Sequence, residues 1–373
     1  MRTVRRLLYR DIVGSVMFVA FAFLSLFFFN DFVDELGRIG RGGFTVGHGA
    51  LLALLKVPGN FYVVFPSAVL IGSIFSLARM AHSTEYTILR TGGLGPGRAL
   101  GLLATLALGF AMITFLVGDY VAPVFDQQAQ LTRASLNGRL APGRGGAWLK
   151  DKQDTPAGER NYSVNVLLAN ADGTLEGVRI FEFDADGRLV SRTAAKYARV
   201  DAQGVWTLSQ VKETHWIASR QLASQDDASV TDTSQDQKVW HSSLNAGVVA
   251  AAVLPPEVMS TVELYRYTQH LSAHEQSAQL YEIQFWLKAL YPAACIVMVA
   301  LALPFAYLQP RAGGLTLKVF GGIMLGISFV LMNNVASHLG LLRNWTPWAV
   351  AATPSLLYLL LSLAAFAWLV RYR

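Results

Sequence analysis

Apolar positions gather into six long runs, three before and three after a polar block of about 160 residues. The first three are Ile12 to Phe29, Phe61 to Ala78 and Ala99 to Val121. The last three are Ile283 to Leu308, Leu315 to Val335 and Trp348 to Val370. Crossing ~30 Å of hydrocarbon takes about 20 helical residues, and each run is near that length or longer. A soluble core has little use for six such runs. The pattern predicts an α-helical polytopic membrane protein with six transmembrane helices, three and three, around an inserted extramembrane domain.

Inside the polar block the period changes. From Gly146 to Leu244 apolar and polar residues alternate and β-formers dominate, as in Ala147 to Leu149, Tyr162 to Leu168, Val178 to Phe183 and Val205 to Leu208. Asp172-Gly173, Asp186-Gly187 and Gln203-Gly204 punctuate these stretches as turns. Such spacing predicts an all-β domain: an antiparallel sandwich, a jelly roll or an open half-barrel. Ser219 to Gln237, rich in Ser, Asp and Gln, reads as a loop or a solvated hairpin. Beyond Pro255-Pro256, Glu257 to Glu282 reads as a helix returning to the membrane, with Leu264, Tyr267, Leu271 and Ala278 on one face. The expected division is 1–122 for the first three membrane helices, 123–283 for the β domain and its helical return, and 284–373 for the last three.

Composition agrees, with 53% hydrophobic and only 15% charged residues. Charge adds topology. From Pro123 to Glu282 there are 15 Lys/Arg against 19 Asp/Glu, while the rest of the chain is strongly basic. An even number of spans puts both ends on one side, with Arg2, Arg5, Arg6, Arg10, Arg79, Arg90, Arg98, Arg311, Lys318, Arg371 and Arg373. The opposite short loops hold only Arg38, Arg41, Lys56 and Arg343. That asymmetry predicts cytoplasmic termini and an outside domain, in a bacterium periplasmic. The basic surplus then serves membrane lipids and topology; nucleic acid is not implied. The first run is longer than a usual signal core and has no A-x-A site before Asn30, so a retained helix is expected. Cys295, the one cysteine, falls inside the fourth run, so the β domain has no disulfide.

Catalytic chemistry is sparse. No G-x-x-x-x-G-K-[ST], G-x-S-x-G or H-E-x-x-H is present, and the glycines from Gly92 to Gly97 read as a cytoplasmic turn rather than a phosphate cradle. His270 and His274 stand four apart without a third ligand in view, so a solvated helix face is expected rather than a metal site. No cofactor is implied. Asp119 and Lys288 lie near the ends of spans, where Lys288 either snorkels or meets an anionic ligand. Between the second and third runs, Arg79 to Gly92 predicts a short helix that Ser83 or Thr84 can cap, with Glu85 in its first turn. Glu85, Ile88 and Leu89 suit either a groove on a partner or a place among the headgroups.

Local strings carry a resemblance. These are Phe32-Val33-Asp34-Glu35-Leu36, Gly118-Asp119-Tyr120-Val121-Ala122-Pro123, Trp148-Leu149-Lys150-Asp151, and Trp286-Leu287-Lys288 with Pro292 four residues on. In order and position they resemble the F-V-D-x-L, G-[DE]-x-V-A-P, W-x-K-D and W-x-K-x-x-x-P strings of the lipopolysaccharide-export permeases, the LptF/LptG family, and favour its LptG branch. The layout is also that family's, over the whole chain. The resemblance implies a non-catalytic permease subunit paired with LptF, joined to a pair of LptB ATPases and to LptC. Such a complex lifts lipopolysaccharide from the inner membrane onto a periplasmic β-domain bridge. It implies that Ser83 to Thr91 is the coupling helix, with Glu85, Ile88 and Leu89 meeting the ATPase. Helices one and five would gate the lipid cavity, with Gly321, Gly322 and Gly326 letting helix five pack closely or bend. Lipid contact falls on Arg38, Arg41 and Lys288. Where relatives carry lysines just before and after F-V-D-x-L, this chain has Asp31 and Gly37.

Two other classes compete. An ion-coupled secondary transporter predicts paired intramembrane carboxylates and internal repeats, and a membrane-anchored periplasmic enzyme or scaffold predicts a nucleophile and base in the β domain. Neither set of features stands out in the sequence.

Overall fold

A computed structural model of the chain describes residues 2–37, 44–83, 85–92, 95–137, 146–155, 158–169, 174–218, 228–253, 255–273, 278–307 and 315–371. The chain forms two compact units: residues 1–39, 45–126 and 282–373 make one, and 40–44 with 127–281 make the other.

The first half of the membrane unit holds α1 (Arg2–Leu36), α2 (Val46–Leu55), α3 (Val57–His82), α4 (Glu85–Thr91) and α5 (Pro96–Leu116). A π-helical turn, Val117–Val121, joins α5 to α6 (Ala122–Asn137). Pro123 has no N–H and its ring would clash with a carbonyl four residues back. One wide turn relieves that clash, and the Ala122 N–H donates to the Val117 carbonyl. Gly118 belongs here because a Cβ would lie 2.2 Å from the Tyr62 ring. The Gly118 to Pro123 string is thus a packing device. Helix α2 is the element the hydrophobic pattern did not separate. Thr45 caps it, its Oγ1 accepting from the His48 N–H.

In the second unit the strands are β1 (Ala147–Thr155), β2 (Gly158–Val166), β3 (Leu168–Ala169), β4 (Leu175–Phe183), β5 (Leu189–Val200), β6 (Val205–Ala218) and β7 (Ala228–His241). They make one antiparallel sheet in the order β1-β2-β4-β5-β6-β7, with β3 beside β4. The sheet curls on itself. Tyr162 of β2 and Trp240 of β7 have three strands between them in the sheet, yet their ring centroids lie 5.5 Å from each other. Leu149, Val164, Val178, Ile180, Leu208 and Val211 fill the concave side around Trp206, which is fully buried and donates its Nε1–H to the Leu244 carbonyl at 2.9 Å. Asp151 draws the sheet ends together: it accepts from Ser242 Oγ at 2.7 Å and Ser243 Oγ at 2.6 Å, just past β7. Of the three expected β architectures, the open half-barrel, here a single curled antiparallel sheet, is the one formed.

The polar stretch 228–237 is strand, and the hairpin alternative holds there; 219–227 lie outside the described residues. Its polarity reflects exposure, since β7 pairs with β6 along its length while most of its side chains meet solvent. At the β5–β6 turn Gly204 has φ +82°, and a Cβ would fall 2.1 Å from the Ser242 carbonyl oxygen.

The returning segment is α7 (Ala246–Val253), a 3-10 turn Pro256–Val258, and α8 (Thr261–Ala273). The single helix expected from Glu257 is interrupted. Ser260 and Glu263 form a capping box that starts α8 afresh: Glu263 Oε2 accepts from the Ser260 N–H at 2.7 Å, and Ser260 Oγ from the Glu263 N–H at 3.2 Å. The expected face is buried at Leu264, Tyr267, Leu271 and Ala278.

Helices α9 (Gln279–Tyr307), α10 (Leu315–Arg343) and α11 (Pro347–Arg371) complete the membrane unit. Among the described residues, six helices are long and apolar enough to cross a bilayer. Helix α3 is central and packs against α1, α5 and α10. At Gly72 the α1 backbone comes so close that a Cβ would stand 2.5 Å from Val16 Cα. Gly322 and Gly326 face Ile74 and Ser67 of α3, while Gly321 faces open space. By contrast α1 and α10 leave Phe18, Phe21 and Phe29, and Leu317, Phe320 and Leu331, exposed. In a bilayer those surfaces meet acyl chains or neighbouring helices.

Candidate functional site

Two polar clusters stand out, one at each end of the helix bundle. At the end remote from the termini, Asp31 of α1 is held from both sides. Lys56, between α2 and α3, lies 2.7 Å from its Oδ1, and Asn60 Nδ2 donates to its Oδ2 at 2.6 Å. Asp126 of α6 presses on Gly59, where a Cβ would stand 2.7 Å from a carboxylate oxygen. Its carboxylate feels Lys288 of α9, then Lys56 and Asp31. The Lys288 ammonium is 5.9 Å from the centre of the Tyr62 ring, an attractive cation–π arrangement. The Tyr62 ring lies tilted against Tyr291, centroids 4.6 Å apart, and the Tyr291 hydroxyl donates to the Val63 carbonyl at 2.6 Å.

These contacts tie four elements together and balance two lysines with two aspartates. Lys288 therefore sits in a site with both positive and negative partners. Arg38 and Arg41 lie outside the described residues. Asp31, Lys56, Asn60 and Asp126 were not singled out as a group by sequence. The available signal was Asp31 itself, a carboxylate two residues past the end of a phenylalanine-rich apolar run.

At the terminal end, Asp11 of α1 accepts from Ser76 Oγ at 2.6 Å and pairs with the Arg79 guanidinium, both on α3. Arg79 also lies 5.7 Å over the Phe75 ring. Just beyond, α4 separates the three residues expected to act together. Glu85 is exposed and Ile88 is 66% exposed, whereas Leu89 packs against the bundle core. Leu89 anchors the helix and the other two face outward. Ser83 Oγ donates to the Met80 carbonyl at the end of α3, and Thr84 lies outside the described residues.

The β unit encloses a small polar space of about 80 Å³ lined by Tyr162, Glu182, Ser191, Glu213, Lys238 and Trp240. Lys238 pairs with Glu213 at 2.6 Å and Ser191 donates to Glu182 at 2.6 Å. Burial, then the nearby Glu182 carboxylate, pushes the Tyr162 phenol above its ordinary pKa. The buried Asp151 of the Trp148 to Asp151 string serves the fold, and Trp148 stacks on Phe181 at 5.9 Å.

Among the described residues, six membrane-length helices, charge clusters at both ends of the bundle and an inserted β unit define a polytopic membrane protein. The family of lipopolysaccharide export system permeases LptF/LptG matches residues 6–370, and the chain belongs to that family. It is similar to the lipopolysaccharide export system permease protein LptG of Escherichia coli strain K12, 28% identical over 358 residues and 95% of each chain. The LptG of Haemophilus influenzae is 24% identical over 362 residues and 96% of each chain.

Proposed function

We propose that this chain is the LptG-type subunit of an ATP-driven lipopolysaccharide extractor. It pairs with LptF, takes work from two LptB ATPases, and with LptC passes lipid to a periplasmic β-domain bridge. Residues 1–122 and 284–373 are the membrane halves, 83–91 the coupling helix, and 123–283 the periplasmic part. The reading rests on one conjunction: a family match over residues 6–370 in a chain whose loop between the second and third spans turns Glu85 and Ile88 to solvent. The chain carries no nucleotide-binding motif, so work has to enter through such a contact. Glu85 and Ile88 are assigned to the ATPase surface, with Leu89 setting the helix's pose. The positive-inside bias supports cytoplasmic termini. Arg38, Arg41 and Lys288 are assigned to the lipid phosphates, with Lys56, which like Lys288 acts on Asp126, as a further cation.

Purification from native membranes tests this, with bound subunits and lipid identified by mass spectrometry. The expected result is an ATPase subunit, a second permease and lipopolysaccharide. Recovery with no ATPase subunit overturns the proposal and favours a secondary transporter or scaffold. Orientation is tested with Cys295→Ala plus Asp186→Cys or Ile88→Cys. Only the first should react with an impermeant maleimide added from the periplasmic side.

A further inference from the structure

The first turns of α1 carry a surface that the transport reading leaves unused. Arg5, Arg6 and Arg10 are exposed and, with Tyr9 and Val13, line an open hollow of about 540 Å³. The hollow takes its character from guanidinium groups gathered on one side of the helix. Asp11, the nearest acid in sequence, is already taken by Ser76 and Arg79. Among the described residues no carboxylate pairs with Arg5, Arg6 or Arg10. The floor is fixed, because the Tyr9 hydroxyl donates to the Leu102 carbonyl of α5 at 2.8 Å and Val13 packs against the bundle core.

Order along the axis matters. At 1.5 Å per residue, Arg5 to Val13 covers about 12 Å. The lining passes from two guanidiniums through a phenol and a third guanidinium to an isopropyl group, just where the apolar run begins at Ile12. A phospholipid at a leaflet edge presents the matching sequence of phosphate, glycerol ester and first acyl carbons. Arginine's planar fork suits phosphate oxygens. A zwitterionic lipid carries its own ammonium and gains less from three cations. We propose that this hollow binds one acidic phospholipid of the leaflet on the side of the termini. Its phosphate is held by Arg5, Arg6 and Arg10, and its proximal chain lies on Tyr9 and Val13. The assignment requires only that α1 spans the membrane; it is independent of the coupling and export readings.

The test uses the full chain, with whatever subunits co-purify, exchanged into vesicles of equal parts phosphatidylglycerol and phosphatidylcholine. Retained lipid is counted by native mass spectrometry. A basic residue near an anionic surface contributes roughly five-fold in partitioning, so phosphatidylglycerol should be enriched on the order of ten-fold or more. Arg5→Gln/Arg6→Gln/Arg10→Gln should bring the ratio near unity, while Arg343→Gln, at the other end of the bundle, should leave it unchanged. No enrichment in the native protein, or full enrichment in the triple variant, overturns the site. So does complete displacement of the lipid by inorganic phosphate, which would mark a bare anion site. If the triple variant does not assemble, photoactivatable phosphatidylglycerol is crosslinked to the native protein. Label on residues 5–13 supports the site, and label elsewhere or a protein–protein crosslink there overturns it.

Discussion

Asp31→Asn removes the charge that faces Lys56 while keeping the side chain's size. In the native protein the pair is 2.7 Å apart with Asp31 13% and Lys56 29% exposed, and Asn60 adds a bond of 2.6 Å. Hydrogen bonds to charged groups contribute about 1.5–3 kcal/mol. Partial exposure moves this pair toward the lower end, so the variant should lose about 1–2 kcal/mol of stability. The loss reads as a lower unfolding temperature of the purified protein, smaller at high salt because screening has already weakened the native pair. Lipid contact should move the other way. With Asp31 neutral, Lys56 loses its nearest carboxylate, and an incoming phosphate competes with one carboxylate fewer. A photocrosslinker at Trp286, two residues from Lys288 in sequence, should then capture several-fold more lipopolysaccharide. A lower unfolding temperature with unchanged capture would make the cluster a structural clamp and remove Lys288 from the lipid path. No change in either measurement would refute the energetic reasoning altogether.

Glu85→Lys should leave the protein folded and inserted but lower lipid-stimulated ATPase activity of the purified complex, and an acid introduced at the contacting ATPase residue should partly restore it; normal activity would reduce α4 to an anchor. Gly72→Ala forces α1 and α3 apart by about 1 Å and should cost about 1–3 kcal/mol, seen as a fall in unfolding temperature that Gly101→Ala, with nothing within 4 Å, does not show. Trp206→Ala empties the β core and removes the bond to Leu244, costing about 3–5 kcal/mol and opening the β unit to limited proteolysis. Burial, then Tyr281, pushes the Tyr267 phenol above its ordinary pKa. Its neutral form therefore stabilises the fold below about pH 10, a contribution lost as pH rises through the folded pKa, so Tyr267→Phe should flatten the alkaline rise in proteolysis.

Much of the fold was legible because its constraints are local. Every backbone polar group in hydrocarbon must be satisfied within its own helix, so a run such as Phe61 to Ala78 announces a span without reference to partners. Alternation did the same for β4, whose buried residues Leu175, Val178 and Ile180 are apolar. It failed for β7, where exposed Ser, Asp and Gln carry no alternation and pairing with β6 alone makes the strand. The helix start at Ser260 was hidden by the longer periodicity from Glu257, and its capping box with Glu263 became visible only in the structure. Lys288 stood out as a charge near a span end. That it joins Asp31, Lys56, Asn60 and Asp126 depends on where α1, α3, α6 and α9 cross, and residues up to 257 positions apart in sequence have no local signal for that. Likewise Glu85, Ile88 and Leu89 share a short helix, but only its packing against the bundle decides that Leu89 turns inward and the other two outward. Local hydrogen bonding and hydrophobic period fixed which segments are helix or strand; the crossing of those segments, set by small-residue contacts such as Gly72 on Val16, decided which charges meet.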